Sequence, residues 1–444
     1  MRTFTLIWFG QLISATGSRM TFFSLTLWIW EATGSATALA LVSLCFQLPQ
    51  IPTTLFAGLI VDRYNRKSLM LLGDAAIAMA TLVIGGLYLT GQLAVWHLYL
   101  VTLMAGGFGQ IQILAYQASL SLIIPKQHYT RAGSMGAIVH YGSQIVGPAL
   151  AGVLYPIIQL SGIIAIDLVT FVLAFTTLLL AHIPQPTKVI SEGEAPSKGQ
   201  SESQSEKQSE TLLRRLTFGF RYVWQRPSLK ALLLLTMLFT VAHDLGGAVQ
   251  NPMILSRTGG SPVAVAGVSA AAGIGGVTGA IVVSLWGGPK RRTYGFLLGY
   301  IGAGLSKLSF GFGRSLSVWV PAQVCSSLNF PLLGSCRSAL WMDKIASEIQ
   351  GSVFAANSLV LQCASAVSTL LAGPLAEHLF EPAMMPGGWL TPFLGSLFGV
   401  GPGAGMAVLY ALCSLALLLV GIGGFCWPQL RRLEKEDIQT HVAT

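Results

Sequence analysis

The sequence predicts an all-α membrane protein: twelve transmembrane helices in two pseudo-symmetric six-helix halves. Three observations carry this. The chain is 53% hydrophobic and only 10% charged, with a mean hydropathy of +0.65, against roughly 25% charged residues in soluble domains. Its apolar residues fall into twelve runs near the ~20 residues that a helix needs to cross a bilayer. Finally, a basic loop around Asp62-Arg63-Tyr64-Asn65-Arg66-Lys67 is echoed by Pro289-Lys290-Arg291-Arg292, with Trp286 lying 224 residues after Asp62, about half the chain. Repeated punctuation at that distance marks a duplicated bundle of the kind transporters use.

The first six spans are expected near 4–30, 36–61, 68–90, 96–124, 132–158 and 161–183. The second six are expected near 229–254, 262–287, 293–313, 316–342, 351–379 and 404–427. The opening run is too long for a signal-peptide core and has no small-residue cleavage site, so it reads as the first span. Basic residues set the orientation. One set of loops holds Arg63, Arg66, Lys67, Lys126, Arg131, Lys290, Arg291, Arg292, Lys344, Arg431, Arg432 and Lys435, and the other only Arg257 and Arg314. The first set is therefore expected in the cytoplasm, together with both termini. The organisation that results is an N-terminal half (1–183), a linker (184–228), a C-terminal half (229–428) and a tail (429–444).

From Pro184 to Glu210 the chain is Ser, Glu, Gln, Lys and Pro with almost no apolar residues. Such a segment cannot bury enough surface to fold and is expected to be a flexible cytoplasmic linker. Leu212 to Trp224 then alternates apolar and basic residues, as a short amphipathic helix on an anionic leaflet would. The outer loop 381–403 is unusually apolar, and Trp389 suits either an interfacial anchor or a lid.

Composition also excludes function classes. The net charge is +9, but the basic residues cluster at span ends, the pattern of topology signals and not of a nucleic-acid groove. The six cysteines (Cys45, Cys325, Cys336, Cys363, Cys413, Cys426) all lie in apolar runs with no metal-ligand spacing, so they read as small core residues. There is no phosphate loop, nucleophile elbow or His-Glu-x-x-His helix. No cofactor, no metal and no enzymatic reaction are expected. Gly273, Gly275, Gly276 and Gly279 read as close helix packing, since no strand precedes them.

Charges inside the spans cost at least ~2.5–3.5 kcal/mol at mid-bilayer, so each needs a partner or a purpose. Arg19 in span one and Asp244 in span seven are 225 residues apart, equivalent sites roughly 22 Å from the cytoplasmic helix ends. Asp167 in span six lies at a similar depth. Arg19 is expected to pair with either Asp244 or Asp167 when the outer side is closed, and His243 beside Asp244 adds a group that titrates near neutrality. Lys307 in span nine and Arg337 in span ten are further buried cations. Arg337 is either a receptor for an anionic or polar substrate group or a partner of Asp343. Asp74, two turns into span three, is expected to support the loop at 62–67. Gln110, Gln112, Tyr116 and Gln117 give span four a polar stripe and are substrate-cavity candidates. His97, His140, His182 and His378 read as interface or packing residues.

At this point the residues resemble a known family. Gly58, Asp62, Arg63, Arg66 and Lys67 match the loop signature of the major facilitator superfamily between its second and third helices; Asn65 stands where that signature has Gly, and Asn also tolerates positive φ. Phe9-Gly-Gln-Leu-Ile-Ser, Glu31-Ala-Thr-Gly-Ser and Leu371-Ala-Gly-Pro-Leu-Ala resemble the branch of macrolide-efflux proteins and enterobactin-type exporters. The resemblance implies that spans one, four and seven line a central cavity. It also implies that Asp62 latches the cytoplasmic side while the outer side is open. The second copy places Trp286 where Asp62 would fall, so Lys290, Arg291 and Arg292 repeat the bases of the latch without its acid. The Gly147-Pro148 pair with Gly152 in span five resembles the helix-bending motif of superfamily exporters, and Gly373-Pro374 repeats it in span eleven. The arginine usual in span four is missing.

The resemblance therefore implies a proton-coupled secondary transporter of the bacterial plasma membrane, working as a monomer. It would export small amphipathic molecules such as drugs, macrolide-like compounds or siderophore-type metabolites. An importer of the same fold remains an alternative, as does a non-transporting membrane receptor or assembly partner.

Overall fold

A computed structural model describes residues 2–123, 129–181, 217–289, 291–345 and 349–432. Within these, side chains are described outside 2–3, 57–63, 117–118, 120–122, 129–134, 137–138, 140–141, 350–351 and 431–432. The linker 184–216 and the tail from 433 lie outside the described residues, as do Lys126, His182 and Lys290.

The described residues form helices α1 (Arg2–Thr33), α2 (Ala36–Gln47), α3 (Gln50–Arg63), α4 (Arg66–Leu89), α5 (Val95–Ile123) and α6 (Tyr129–Leu180) in the first half. A short helix α7 covers 217–225. The second half holds α8 (Pro227–Arg257), α9 (Pro262–Trp286), α10 (Arg292–Phe312), α11 (Leu316–Leu328), α12 (Phe330–Lys344), α13 (Gln350–Pro374), α14 (Glu381–Met384), α15 (Thr391–Phe398), α16 (Ala404–Cys426) and α17 (Pro428–Arg432), with a π-helical turn at Leu375–Phe380 after α13. Eight of these helical segments are long and apolar enough to cross a bilayer.

Several expected spans are not single straight rods. Span two divides into α2 and α3 at Leu48-Pro49, because proline removes a backbone donor and crowds the preceding turn. Span ten divides at Asn329 into α11 and α12. Spans five and six are the two legs of α6, folded back at Gln159 with φ 57° and ψ −173°. That is the only positive φ at a non-glycine residue among those described. Span eleven runs on through the π-helical turn into α14. With these breaks counted, the described helices order into six rods before the linker and six after it.

The rods leave two unlike ends. One, here the basic side, carries the turns at 64–65, 287–289 and around 345 and 349; the far side carries 34–35, 90–94, 258–261, 313–315 and 385–403. On the far side a single hydrophobic core crosses both halves: Leu27, Ile29, Ala36 and Tyr155 from the first pack with Val249, Met253, Val265 and Ala372 from the second. Among the described side chains, the cores on the basic side separate, one drawn from 222–430 and two from the first half. The halves therefore meet on the far side and part toward the basic side. The two most extensive interfaces between them are α6 on α9 and α2 on α13, with smaller contacts of α2 on α8 and of α3 on α13.

Small residues make those interfaces possible. A Cβ on Gly152 would lie 2.4 Å from Ala266 Cβ, and one on Gly273 would lie 1.8 Å from Ile145 Cγ1, so α6 and α9 approach to backbone distance. Gly275 and Gly279 meet the backbone of Val324 and Leu328 in α11 in the same way. The cysteine reading holds for Cys336 and Cys413, which are buried, whereas Cys325, Cys363 and Cys426 are exposed on the helices. The outer loop contains α15, and its ends are pinned by guanidinium groups. Arg257 donates to the carbonyls of Gly403 (3.1 Å), Gly313 (2.7 Å) and Phe398 (2.6 Å), and Arg314 donates to those of Ser396 and Leu397.

Candidate transport site between the halves

The charges singled out within the spans do not meet in the expected pairs. Ser18 and Thr21 are one turn apart on α1 and present their hydroxyls to Asp167, at 3.3 and 2.8 Å. Arg19 follows Ser18 and so points about 100° around the helix from it. Its side chain is exposed, and it makes no hydrogen bond or ion pair among the described residues. The far side is closed here, yet Arg19 is bonded to neither Asp167 nor Asp244, which corrects the expected pairing. Gly147 brings α6 against the stem of Arg19, where a Cβ would lie 2.5 Å from Arg19 Cβ.

Asp244 has its own partners. His243 Nδ1 lies 3.0 Å from its carboxylate, and the Ser365 hydroxyl of α13 also bonds it. That hydroxyl is 3.3 Å from Gln47 Oε1 in α2, across the boundary between the halves. Gln47 stands there because α2 ends at it, just before the Pro49 break. The imidazole of His243 is held between Phe239 and Phe330, at ring separations of 5.7 and 5.1 Å. Behind it lies Lys307, 5% exposed and within electrostatic reach of Asp244. Among the described residues, its ammonium donates a single long 3.4 Å hydrogen bond, to the Tyr410 hydroxyl. Sequence reasoning missed Ser365 and Gln47, because a lone Ser and a Gln in apolar helices give no signal until the fold brings them together.

The polar stripe of span four is not one surface. Gln110 Nε2 donates to Thr54 Oγ1 of α3, closing α5 onto span two. Gln112 is buried and turns inward, donating to Gln11 of α1 at 3.3 Å and bonding Asp74. Tyr116 packs at the rim of a small core with Leu69 and Met70; the side chain of Gln117 lies outside the described residues. Asp74 is thus part of a network inside the first half, with one carboxylate oxygen unpartnered among the described residues.

That loop is read from its described part. Asn65 is the N-cap of α4, with φ −63° and its side-chain oxygen accepting from Ser68 N–H at 3.2 Å. Positive φ is not needed there; the turn survives because Asn is a strong N-cap. Lys67 donates to the carbonyls of Leu179 and Ala181 at the end of α6, both at 2.8 Å, so it staples its own half. The side chains of Gly58, Asp62 and Arg63 lie outside the described residues, and Arg66 begins α4. In the second copy Arg292 is 4.0 Å from Asp343, Arg291 sits over the ring of Tyr294, and Trp286 is exposed. Arg337 does not pair with Asp343, whose partners are Arg292 and Lys344.

Above the cleft, toward the far side, a pocket lies between the halves, lined by Phe22, Thr26 and Leu39 on one side and by Ala248, Asn251 and Pro252 on the other. The hydroxyls of Thr26, Ser43 and Thr102 in its wall bond carbonyls of their own helices, leaving the wall apolar in effect. Asn251 supplies the wall's one side-chain amide. Such a site favours shape and amphipathicity over a fixed set of hydrogen bonds.

Comparison with known proteins agrees with this geometry. The chain is 24% identical over 378 residues to macrolide efflux protein A of Streptococcus pyogenes, covering 85% of this chain and 90% of that one. It is 21% identical over 434 residues to the multidrug efflux pump Tap of Mycolicibacterium fortuitum, covering 97% and 96%. Its fold is similar to the crystal structure of a bacterial homologue of the lysosomal transporter Spinster in an inward-facing, unoccupied conformation. There the TM-score is 0.68 at 12% identity, over 98% of this chain and 97% of that one. The profile of the Major Facilitator Superfamily matches residues 7–369, and the chain belongs to that family of membrane transporters.

Proposed function

We propose that this transporter exports small amphipathic molecules across the bacterial plasma membrane in exchange for protons, with Asp244 as the proton-carrying group. The distribution of Lys and Arg supports a cytoplasmic location for the basic side, which makes the conformation described inward-open. The monomer contains a complete cleft between its halves. The observation that carries the coupling is the chain His243–Asp244–Ser365–Gln47, which links a carboxylate in one half to a helix of the other.

The chemistry follows from counting protons. The Ser365 hydroxyl has one hydrogen, and two acceptors compete for it: the Asp244 carboxylate and the Gln47 amide oxygen. An ionised Asp244 attracts that hydrogen more strongly than a neutral amide does. A proton on Asp244 makes the carboxyl a donor in its own right and releases Ser365 to Gln47. Protonation therefore changes the bond that crosses the halves, which is what a coupling group must do to shift the balance of conformations. The apolar pocket and the unpaired Arg19 beside the cleft suit molecules with a large apolar body and a polar or anionic edge. The names of the similar proteins, a macrolide efflux protein and a multidrug efflux pump, support export and this substrate class.

Accumulation of a panel of amphipathic drugs and dyes tests the reading, in bacteria lacking their main efflux pumps and carrying the protein or its Asp244→Asn variant. Lower accumulation of some compound, abolished by a protonophore and by the variant, is expected. Export that persists in Asp244→Asn with its protonophore sensitivity intact would remove Asp244 from coupling. Uptake in place of export would overturn the direction.

A further inference from the structure

Two of the stretches by which the sequence resembles its branch of the family, Glu31-Ala-Thr-Gly-Ser35 and Leu371-Ala-Gly-Pro-Leu-Ala376, meet on the far side of the molecule. The residue that joins them is the next one along, Glu377, which neither stretch includes. It lies in the π-helical turn Leu375–Phe380, at the far end of span eleven, and its carboxylate reaches into the first half of the protein. Ser35 Oγ donates to Oε1 at 2.7 Å, Thr37 N–H donates to Oε1 at 2.9 Å, and Thr37 Oγ1 donates to Oε2 at 2.6 Å. The Ala36 N–H faces the same carboxylate.

These donors are the unpaired groups at the start of α2. The first N–H groups of a helix have no partner within it, and the end of its dipole there is positive. Ser35 already serves as the local N-cap, its oxygen accepting from Ala38 N–H. Glu377 adds a second, charged cap supplied from the other half of the molecule. Immediately beneath it, Gly373 lies so close to Thr37 that a Cβ would sit 2.4 Å from Thr37 Cα, which lets the carboxylate reach its donors. The π-helical turn follows Pro374, and the extra residue in such a turn rotates the side chains beyond it. Here it brings Glu377 onto the face that looks at α2.

We propose that Glu377 is the clasp of the far-side gate. It holds the start of α2 against span eleven while the far side is closed, and it must let go for that side to open. The contact is specific to one state of the cycle, because opening the far side separates α2 from α13, one of the two most extensive interfaces between the halves. A cap that merely stabilised α2 would come from α2's own half and would survive the motion unchanged. The inference does not depend on substrate, direction or coupling ion.

Hydrogen–deuterium exchange of the full-length protein in nanodiscs distinguishes the two roles. Glu377→Gln keeps the size of the side chain but puts an NH2 group where donors converge. Thr37→Val removes one of those donors from the opposite half. For Glu377→Gln the clasp predicts roughly tenfold faster exchange, the weight of one or two charged hydrogen bonds, at the far-side ends of α2, α6, α9 and α13. It also predicts slower exchange at the basic ends of the same helices, because the halves close there as they part on the far side. Thr37→Val should shift the same peptides in the same directions by less, and adding it to Glu377→Gln should change little further. Melting temperatures establish that each variant is folded. Faster exchange confined to residues 35–39, with no slowing on the basic side, would reduce Glu377 to a local cap and overturn the proposal. Unchanged exchange in Glu377→Gln would do the same.

Discussion

Lys307 and Asp244 offer a way to separate charge balance from coupling. Lys307 is 5% exposed in the second half, and its one hydrogen bond among the described residues is the long 3.4 Å contact to Tyr410. The acid whose charge acts on Lys307 is Asp244. Asp244→Asn leaves that cation without an acid. Removing one partner of a fully buried pair costs about 3–5 kcal/mol, and removing one from an exposed pair costs about 1 kcal/mol or less. The Asp244 side chain is 28% exposed, so a loss of about 2 kcal/mol, between those limits, is expected. At ~2.1 cal/mol/K per residue of unfolding entropy, that lowers Tm by about 2 °C if the whole chain melts together and about 5 °C if the second half melts alone. The double variant Asp244→Asn/Lys307→Gln removes the stranded charge and should return Tm to within about 1 °C of the parent. Proton-driven flux in proteoliposomes should stay lost in both, because no carboxylate is restored. If the double variant recovers stability and coupled flux together, Asp244 only balances Lys307 and carries no proton. If it recovers neither, the two charges are not balancing one another.

Arg19→Gln removes a charge that makes no hydrogen bond among the described residues, so Tm should move by less than the equivalent of ~0.5 kcal/mol while efflux falls; a marked drop in Tm would mean that Arg19 has a structural partner. Arg257→Ala removes three bonds to the carbonyls of Gly403, Gly313 and Phe398. It should cost about 1–3 kcal/mol and speed limited proteolysis within 385–403 roughly tenfold. Arg257→Lys should recover only part of this, since a single ammonium cannot span the three acceptors.

What the sequence made legible was depth; what it hid was rotation. Apolar run lengths placed the helices, and the 225-residue offset put Arg19 and Asp244 at matching heights. Height says nothing about which way a side chain points. Arg19 stands one residue from Ser18, and that single step of about 100° turns it from Asp167 toward the cleft. The same ambiguity misled the reading of span four, where Gln110 and Gln112 look like one stripe but bond Thr54 and Gln11 on different neighbours. Small residues were legible as close packing, because nothing else explains so many glycines in a span, but their partners were not. Gly273 packs against Ile145 across the halves, while Gly275 packs against Val324 within its own. Glu377 was passed over because its partners are 340 and more residues away. The signal was present, an acid just past Gly373-Pro374 and an N-cap serine after Gly34, but only the fold connects them.

The two ends of the molecule set up a further test. With the far side closed, this conformation has a core that crosses the halves on that side and the Glu377 clasp beside it, and its basic-side cores are separate. A transporter cycles only if its two states lie within a few kcal/mol of one another. The opposite state must therefore gain on the basic side about what it loses on the far side. Lys67 cannot supply that gain, because it is bound to Leu179 and Ala181 within its own half and moves with it. The family resemblance casts Asp62 as the latch of the basic side, which would place one carboxylate at each end of span two. Asp62→Asn should then favour the conformation described here, and Glu377→Gln should favour its opposite, each changing the ratio of states by roughly tenfold for a charged hydrogen bond lost. Combined, the two should largely cancel, leaving exchange at both ends near that of the parent. Two variants that shift the ends in the same direction, or a combination that leaves exchange at either end far from that of the parent, would break the argument that span two is held by an acid at either end.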